Sequence, residues 1–176
     1  MAWVYPSGIS ESFTASGEIN TGWQPQNFLY GSKIVLGEAG TVTQAGLYCY
    51  HGSGGGPTTI KFGLYDSSGN LIVQTTGAVS GFSYTWIDSG TFSEAVSAGT
   101  YFLVVSAADE NPAYPYVSGA SDSSISGSRA YASAMADPQT FSNAAESMGV
   151  RLDFTAGASG PSIPVLRNYQ SMLINN

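Results

Sequence analysis

Apolar and polar residues along the chain alternate with a period of two far more often than with a helical period. Between residues 58 and 65, Ile60, Phe62 and Leu64 alternate with Thr59, Lys61 and Gly63, giving a strand one buried face and one wet face. Residues 149–154 repeat the pattern, with Val150, Leu152 and Phe154 pointing one way and Arg151 and Asp153 the other. The run Tyr101-Phe102-Leu103-Val104-Val105 is apolar on both faces. It therefore reads as a central strand, or as one whose outer face is covered by a loop or a partner subunit. Similar runs rich in Val, Ile, Thr, Tyr and Phe recur between Gly, Ser, Asn and Asp clusters, predicting about eight to ten strands. The clearest span 26–36, 41–51, 58–65, 70–75, 82–88, 91–96, 100–107 and 149–154.

Turn chemistry agrees. Asp66-Ser67-Ser68-Gly69-Asn70 joins two alternating runs as a hairpin, with a glycine placed for positive φ. Asp88-Ser89-Gly90 and Ser97-Ala98-Gly99 punctuate the next strands. Strand spacings of about ten residues predict an all-β fold, an antiparallel β-sandwich of jelly-roll-like type, and exclude a βαβ sheet. Two regions break the rhythm. Residues 51–57 (HGSGGGP) read as a flexible loop, and 109–143 as a long polar loop insertion, the expected place for function. Short helical turns are expected at 132–136 or 142–148. Beyond the sandwich domain, residues 1–155, Gly157, Gly160, Pro161 and Pro164 predict an extended C-terminal arm over 156–176. Its Pro161, Ile163, Val165, Leu166, Tyr169, Met172, Leu173 and Ile174 make it too apolar for an idle tail, so it reads as an interface.

Composition narrows the classes of function. A chain of 176 residues can bury a substantial core as one domain. Only 10% of residues are charged, while 22 glycines and abundant Ser and Thr supply a neutral-polar surface. The net charge is −7, and Lys33, Lys61, Arg129, Arg151 and Arg167 form no cationic stripe, so no nucleic-acid partner is expected. No apolar run approaches the ~20 residues of a spanning helix, so no membrane partner is expected either. The Met-Ala-Trp-Val-Tyr-Pro start lacks a basic region followed by an apolar one, so the chain reads as made in the cytoplasm without a signal peptide. A lone Cys49 excludes an internal disulfide, and with the lone His51 it leaves too few soft ligands for structural zinc. No cofactor is expected.

Catalytic candidates are weak. Cys49 and His51 lie two apart on one strand, so their side chains run parallel rather than converge as a nucleophile and base must. Cys49 reads as a small core residue. Glu38, Asp88, Glu94 and Asp153 sit on or near strands, but nothing fixes the separation that paired-carboxylate chemistry requires. Asp109-Glu110-Asn111 is a hard-oxygen cluster without the spacing of an EF-hand, and 52–56 lacks the Lys-Ser/Thr and helix of a phosphate cradle. Aromatics are 12% of the chain. Trp23, Tyr114 and Tyr116 are the expected ligand or interface residues, whereas Trp86 shares a face with Tyr84 and is expected in the core.

The stretch 31–106 (GSKIVLGEAGTVTQAGLYCY, then TTIKFGLYDSSGNLIVQT, then WIDSGTFSEAVSAGTYFLVVS) resembles β-sandwich domains of tailed-bacteriophage virion proteins and bacterial surface proteins. The shared features are the Gly-Thr-Val-Thr opening, the Phe-Gly-Leu-Tyr-Asp hairpin and the Ala-Gly-Thr-Tyr-Phe-Leu strand. The resemblance implies a non-enzymatic structural protein of the virion, a capsid decoration (cement) or head-fibre subunit. Its implied partners are the major capsid protein or neighbouring copies, in a homo-oligomer for which a trimer is one expectation. The competing expectation is a carbohydrate- or receptor-binding module of a tail fibre or bacterial surface protein, with Trp23, Tyr114 and Tyr116 as its platform.

Overall fold

A computed structural model describes residues 2–13, 17–19, 28–51, 58–79, 83–108, 112–118, 124–128, 134–144 and 146–157. The alternating runs form two antiparallel sheets. One sheet is ordered β12 (Ser142–Ala144), β11 (Ser124–Ser128), β3 (Phe28–Leu36), β9 (Gly99–Ala107), β5 (Thr58–Asp66) and β6 (Leu71–Val79). The other is built around β4 (Gly40–His51). On one edge β4 pairs with β14 (Val150–Ala156), which carries β1 (Ala2–Val4) beyond it. On the other edge it pairs in turn with β8 (Glu94–Val96) and β7 (Thr85–Asp88). Its last two residues pair with β10 (Pro112–Ser118), which also pairs with β2 (Gly17–Ile19) and β13 (Glu146–Met148).

The core lies between the sheets. β3, β5 and β9 contribute Ile34, Leu36, Ile60, Phe62, Leu64, Leu103 and Val105, and these meet Val42, Ala45, Leu47, Cys49, Val150 and Leu152 of the facing sheet. The inward residues of β4 change parity between Val42 and Ala45. A bulge explains it, because Asp153 pairs with Gln44 and Phe154 with Val42, leaving Thr43 as the extra residue. The groups around the bulge stay bonded: Phe92 N–H donates to Thr43 O (2.9 Å), Gln44 Nε2 to Ser89 O (2.7 Å) and Thr43 Oγ1 to Asp153 Oδ2 (2.8 Å). Buried Ser32 ties the sheets together, its Oγ accepting from Met148 N–H at 2.7 Å.

β9 is central, and its second apolar face is also covered. Val104 packs with Leu29, Tyr65 and Met135 in a smaller cluster on the outside of the sheet, and Phe102 and Phe141 close it. Phe141 meets Tyr65 and Phe102 edge-on, with centroids 5.1 and 5.3 Å away. The covering segment, 134–141, is tied to the β5–β6 hairpin. Met135 N–H donates to Gln74 Oε1 (3.0 Å), Leu71 N–H to Asp137 Oδ1 (2.9 Å) and Gln139 N–H to Gly69 O (2.8 Å). Gly69 sits at φ 85°, the left-handed conformation expected in that turn.

The 109–143 stretch, expected as a loop insertion, instead contributes β10, β11 and the start of β12. Residues 142–148, expected as a helical turn, hold β12 and β13, and 134–136 are not helical. These strands have little apolar alternation to read, since β11 is Ser-Ile-Ser-Gly-Ser. Their register comes from the ladder offered by β3, β4 and one another. At the far end β14 runs to Ala156, and Gly157 N–H donates to Ala39 O at 2.9 Å. Pro161, Ile163, Val165, Leu166, Tyr169, Met172, Leu173 and Ile174 lie outside the described residues, as do 109–111 and Trp23.

Candidate functional site

Three in-register strands build the most distinctive side-chain cluster. Arg151 on β14 is paired with Gly46 on β4, and Gly46 with Asp88 on β7. The neighbours of these residues, Val150, Leu152 and Leu47, point into the core. Arg151 and Asp88 therefore project from the outer face. The glycine between them lets the guanidinium cross β4, where Arg151 Nη2 donates to Asp88 Oδ1 at 2.7 Å. A Cβ at Gly46 would sit 2.7 Å from Arg151 Nε, 2.8 Å from Arg151 Cγ and 2.8 Å from Asp88 Oδ1.

Aromatic rings enclose the cation. The Arg151 guanidinium lies 3.8 Å from the Trp3 ring centroid and 4.4 Å from that of Trp86, within cation–π range of both. Beyond Trp86 the series continues to Tyr48 (5.4 Å) and then to Tyr84, stacked on Tyr48 at 5.7 Å with 16° between planes. Tyr5 meets Trp86 edge-on at 5.7 Å, and Phe13 meets Tyr48 at 5.4 Å. Two short turns, Ile9 N–H to Pro6 O and Phe13 N–H to Ser10 O, fold the 6–13 segment over this face. Arg151 is left 7% exposed, while Trp3, Tyr5, Tyr48, Tyr84 and Trp86 are half-buried. Tyr5 Oη, Trp86 Nε1 and Arg151 Nε are enclosed without a hydrogen-bond partner among the described residues.

Two expectations are corrected here. Trp86 does share a face with Tyr84, but it is the outer face, and both are half-buried rather than in the core. Arg151 faces away from the core as its alternation predicts, yet it is buried, because the rings roof it. The residues that complete the cluster, Trp3, Tyr5, Tyr48 and Gly46, were not singled out from sequence. A faint signal was available in an arginine set between two buried apolar residues in a chain with five cations. Its partner across two strands depends on register, which sequence does not supply.

Among the described residues, the chemical candidates expected from the sequence lie apart in the core, on the outer face and on a turn. Cys49 is buried between the sheets, and burial pushes its thiol up to about 12, away from thiolate chemistry. Asp153 accepts from Thr43, Asp88 holds Arg151, and Glu38 is exposed on a turn. Among the described residues no three of His, Cys, Asp and Glu gather as a metal site. Tyr114 and Tyr116 lie on β10, where the backbone of Tyr114 is opposite Ile19 and that of Tyr116 opposite Gly17 and Met148; their side chains are outside the description. The carboxylate of the cluster, Asp88, is paired with Arg151. The cluster is a half-buried patch of Trp and Tyr around an enclosed Arg, and Trp and Tyr are enriched at protein interfaces. Tyr48 and Tyr84 stack face to face, Trp86 is tilted against Tyr48, and Trp3 and Trp86 turn their ring faces to the guanidinium. Comparison with family models, curated proteins and solved structures finds no match to this chain.

Proposed function

We propose that this chain is a non-enzymatic structural subunit of a tailed-phage virion, of capsid-decoration or head-fibre type, that works by binding neighbours through its surfaces. The observation that carries the binding half of this reading is the Trp3–Arg151–Trp86–Tyr48–Tyr84 series on an outer sheet face. Such a patch, held stiff by stacking and by the Arg151–Asp88 pair, loses little conformational freedom when a protein surface covers it. The virion setting is supported by the sequence resemblance of residues 31–106 and by a surface that is poor in charge and rich in Gly, Ser and Thr.

The reading is tested with Tyr84→Lys, at the end of the series, with the circular dichroism spectrum as the control for folding. Particles produced with the wild-type chain are expected to carry it at a fixed ratio to the major capsid protein, a ratio that quantitative mass spectrometry measures. The variant, with an unchanged circular dichroism spectrum, is expected to be depleted from them. Absence of the wild-type chain from purified particles contradicts the virion assignment, and undiminished incorporation of the variant contradicts the role of this face.

A further inference from the structure

One end of the sandwich carries an open groove of about 490 Å³ lined by Val4, Val35, Leu36, Gly37, Glu38 and Phe154. Its walls come from both sheets and from the turn between β3 and β4. Val35, 63% exposed, is the one large apolar side chain left open among the described residues. The groove is thus apolar with a single exposed carboxylate, Glu38, at its side. Its volume falls within the range of sites that enclose a ligand of a few residues' bulk.

We infer that this groove receives the apolar C-terminal segment of a second copy of the chain, with Val165, Leu166 and Tyr169 against its apolar wall and Arg167 paired to Glu38. Charge supports that occupant. The chain carries −7 overall, yet residues 158–176 contain no acid and one cation, Arg167. The exit point supports it too. Gly157 is bonded to Ala39 beside the turn that forms one wall, so the segment leaves the sandwich at the groove itself. Seven residues, 158–164, separate that exit from Val165 and reach at most ~25 Å when extended. Pro161 and Pro164 disfavour helix at the residues before them, which suits a segment that runs outward to a neighbour. Reciprocal exchange between two copies closes a symmetric assembly. This inference rests on the assembly reading above and names the segment and the groove through which assembly occurs.

The test uses the full-length chain. Glu38→Arg and Arg167→Glu are each expected to weaken association about fivefold in sedimentation equilibrium, and the double variant to restore it. Val35→Asp, on an exposed side chain, is expected to weaken it about tenfold without altering the fold. In a chain carrying both Glu38→Cys and Arg167→Cys, oxidation is expected to yield covalent dimers and higher species, with Cys49 sealed in the core. A crosslinked monomer would show that the segment folds onto its own copy and would overturn the inference. An assembly that persists with neither charge coupling nor crosslink also overturns it while leaving the surface-binding reading in place. A wild-type chain that stays monomeric and is absent from particles overturns both.

Discussion

Replacing Gly46 by alanine tests whether the outer face is organised by an arginine crossing a strand. In an ordinary strand interior the change stabilises, because glycine costs roughly 0.5–1 kcal/mol relative to alanine. Here the new Cβ would stand 2.7–2.8 Å from Arg151 Nε, Arg151 Cγ and Asp88 Oδ1, well inside contact distance. The guanidinium must lift, loosening a 2.7 Å ion pair and its seat between Trp3 and Trp86. A charge-assisted hydrogen bond is worth about 1.5–3 kcal/mol and a partly desolvated cation–π contact about 1. Asp88 is 37% exposed, which discounts the first figure for solvent screening. Set against the strand gain, the net loss is about 2 kcal/mol, or roughly 4–8 °C in Tm for a chain of this size. Urea denaturation and calorimetry measure it. The decisive arm is Gly46→Ala in an Arg151→Ala background, where the obstruction is gone and the substitution should be neutral or stabilising by up to about 1 kcal/mol. An equal loss in both backgrounds, or a stabilised single variant, refutes the reasoning.

Three further outcomes follow from the structure. Met135→Ala is expected to cost about 2–3 kcal/mol, since Met135 fills the small outer cluster against Tyr65 and Val104; an unchanged urea midpoint contradicts that packing. Burial raises the Cys49 thiol from its ordinary 9.0 to about 12, so the neutral thiol is favoured in the fold. Its stabilising contribution is complete below pH 9 and is lost as the pH climbs toward 12, and the folded chain should resist a thiol reagent that labels it fully in urea. The Asn70 side chain, with the backbone N–H groups of Asn70, Ser68 and Gly69, holds the Asp66 carboxyl below its ordinary 3.8. The Asp66 contribution is therefore present above that value and lost as the pH falls, and Asp66→Asn should flatten the acid limb of a Tm-versus-pH curve.

Much of the fold is legible where apolar alternation is strong. Ile60, Phe62 and Leu64 mark β5, Val150, Leu152 and Phe154 mark β14, and the two-faced apolar run of β9 predicts a central strand or a covered outer face, of which the structure has both. What covers it was not legible, because residues 134–141 offer only Met135 and Phe141 as apolar anchors in a polar stretch. β10 to β13 escaped for a related reason, as their pairing is written in backbone registers rather than in apolar periodicity. The Arg151 cluster is the clearest case. Each of its members is an ordinary strand or loop residue in sequence, and Gly46 looks like a defect. Only the ladder Arg151–Gly46–Asp88 shows that the glycine is a floor for the arginine.

The most direct test of surface-driven assembly is the mass of the intact chain in solution, by native mass spectrometry and light scattering across a dilution series. The account predicts a discrete multiple of the 18.3 kDa subunit that dissociates on dilution. A species of 18.3 kDa at every concentration, unchanged when the proposed capsid partner is added, would contradict it.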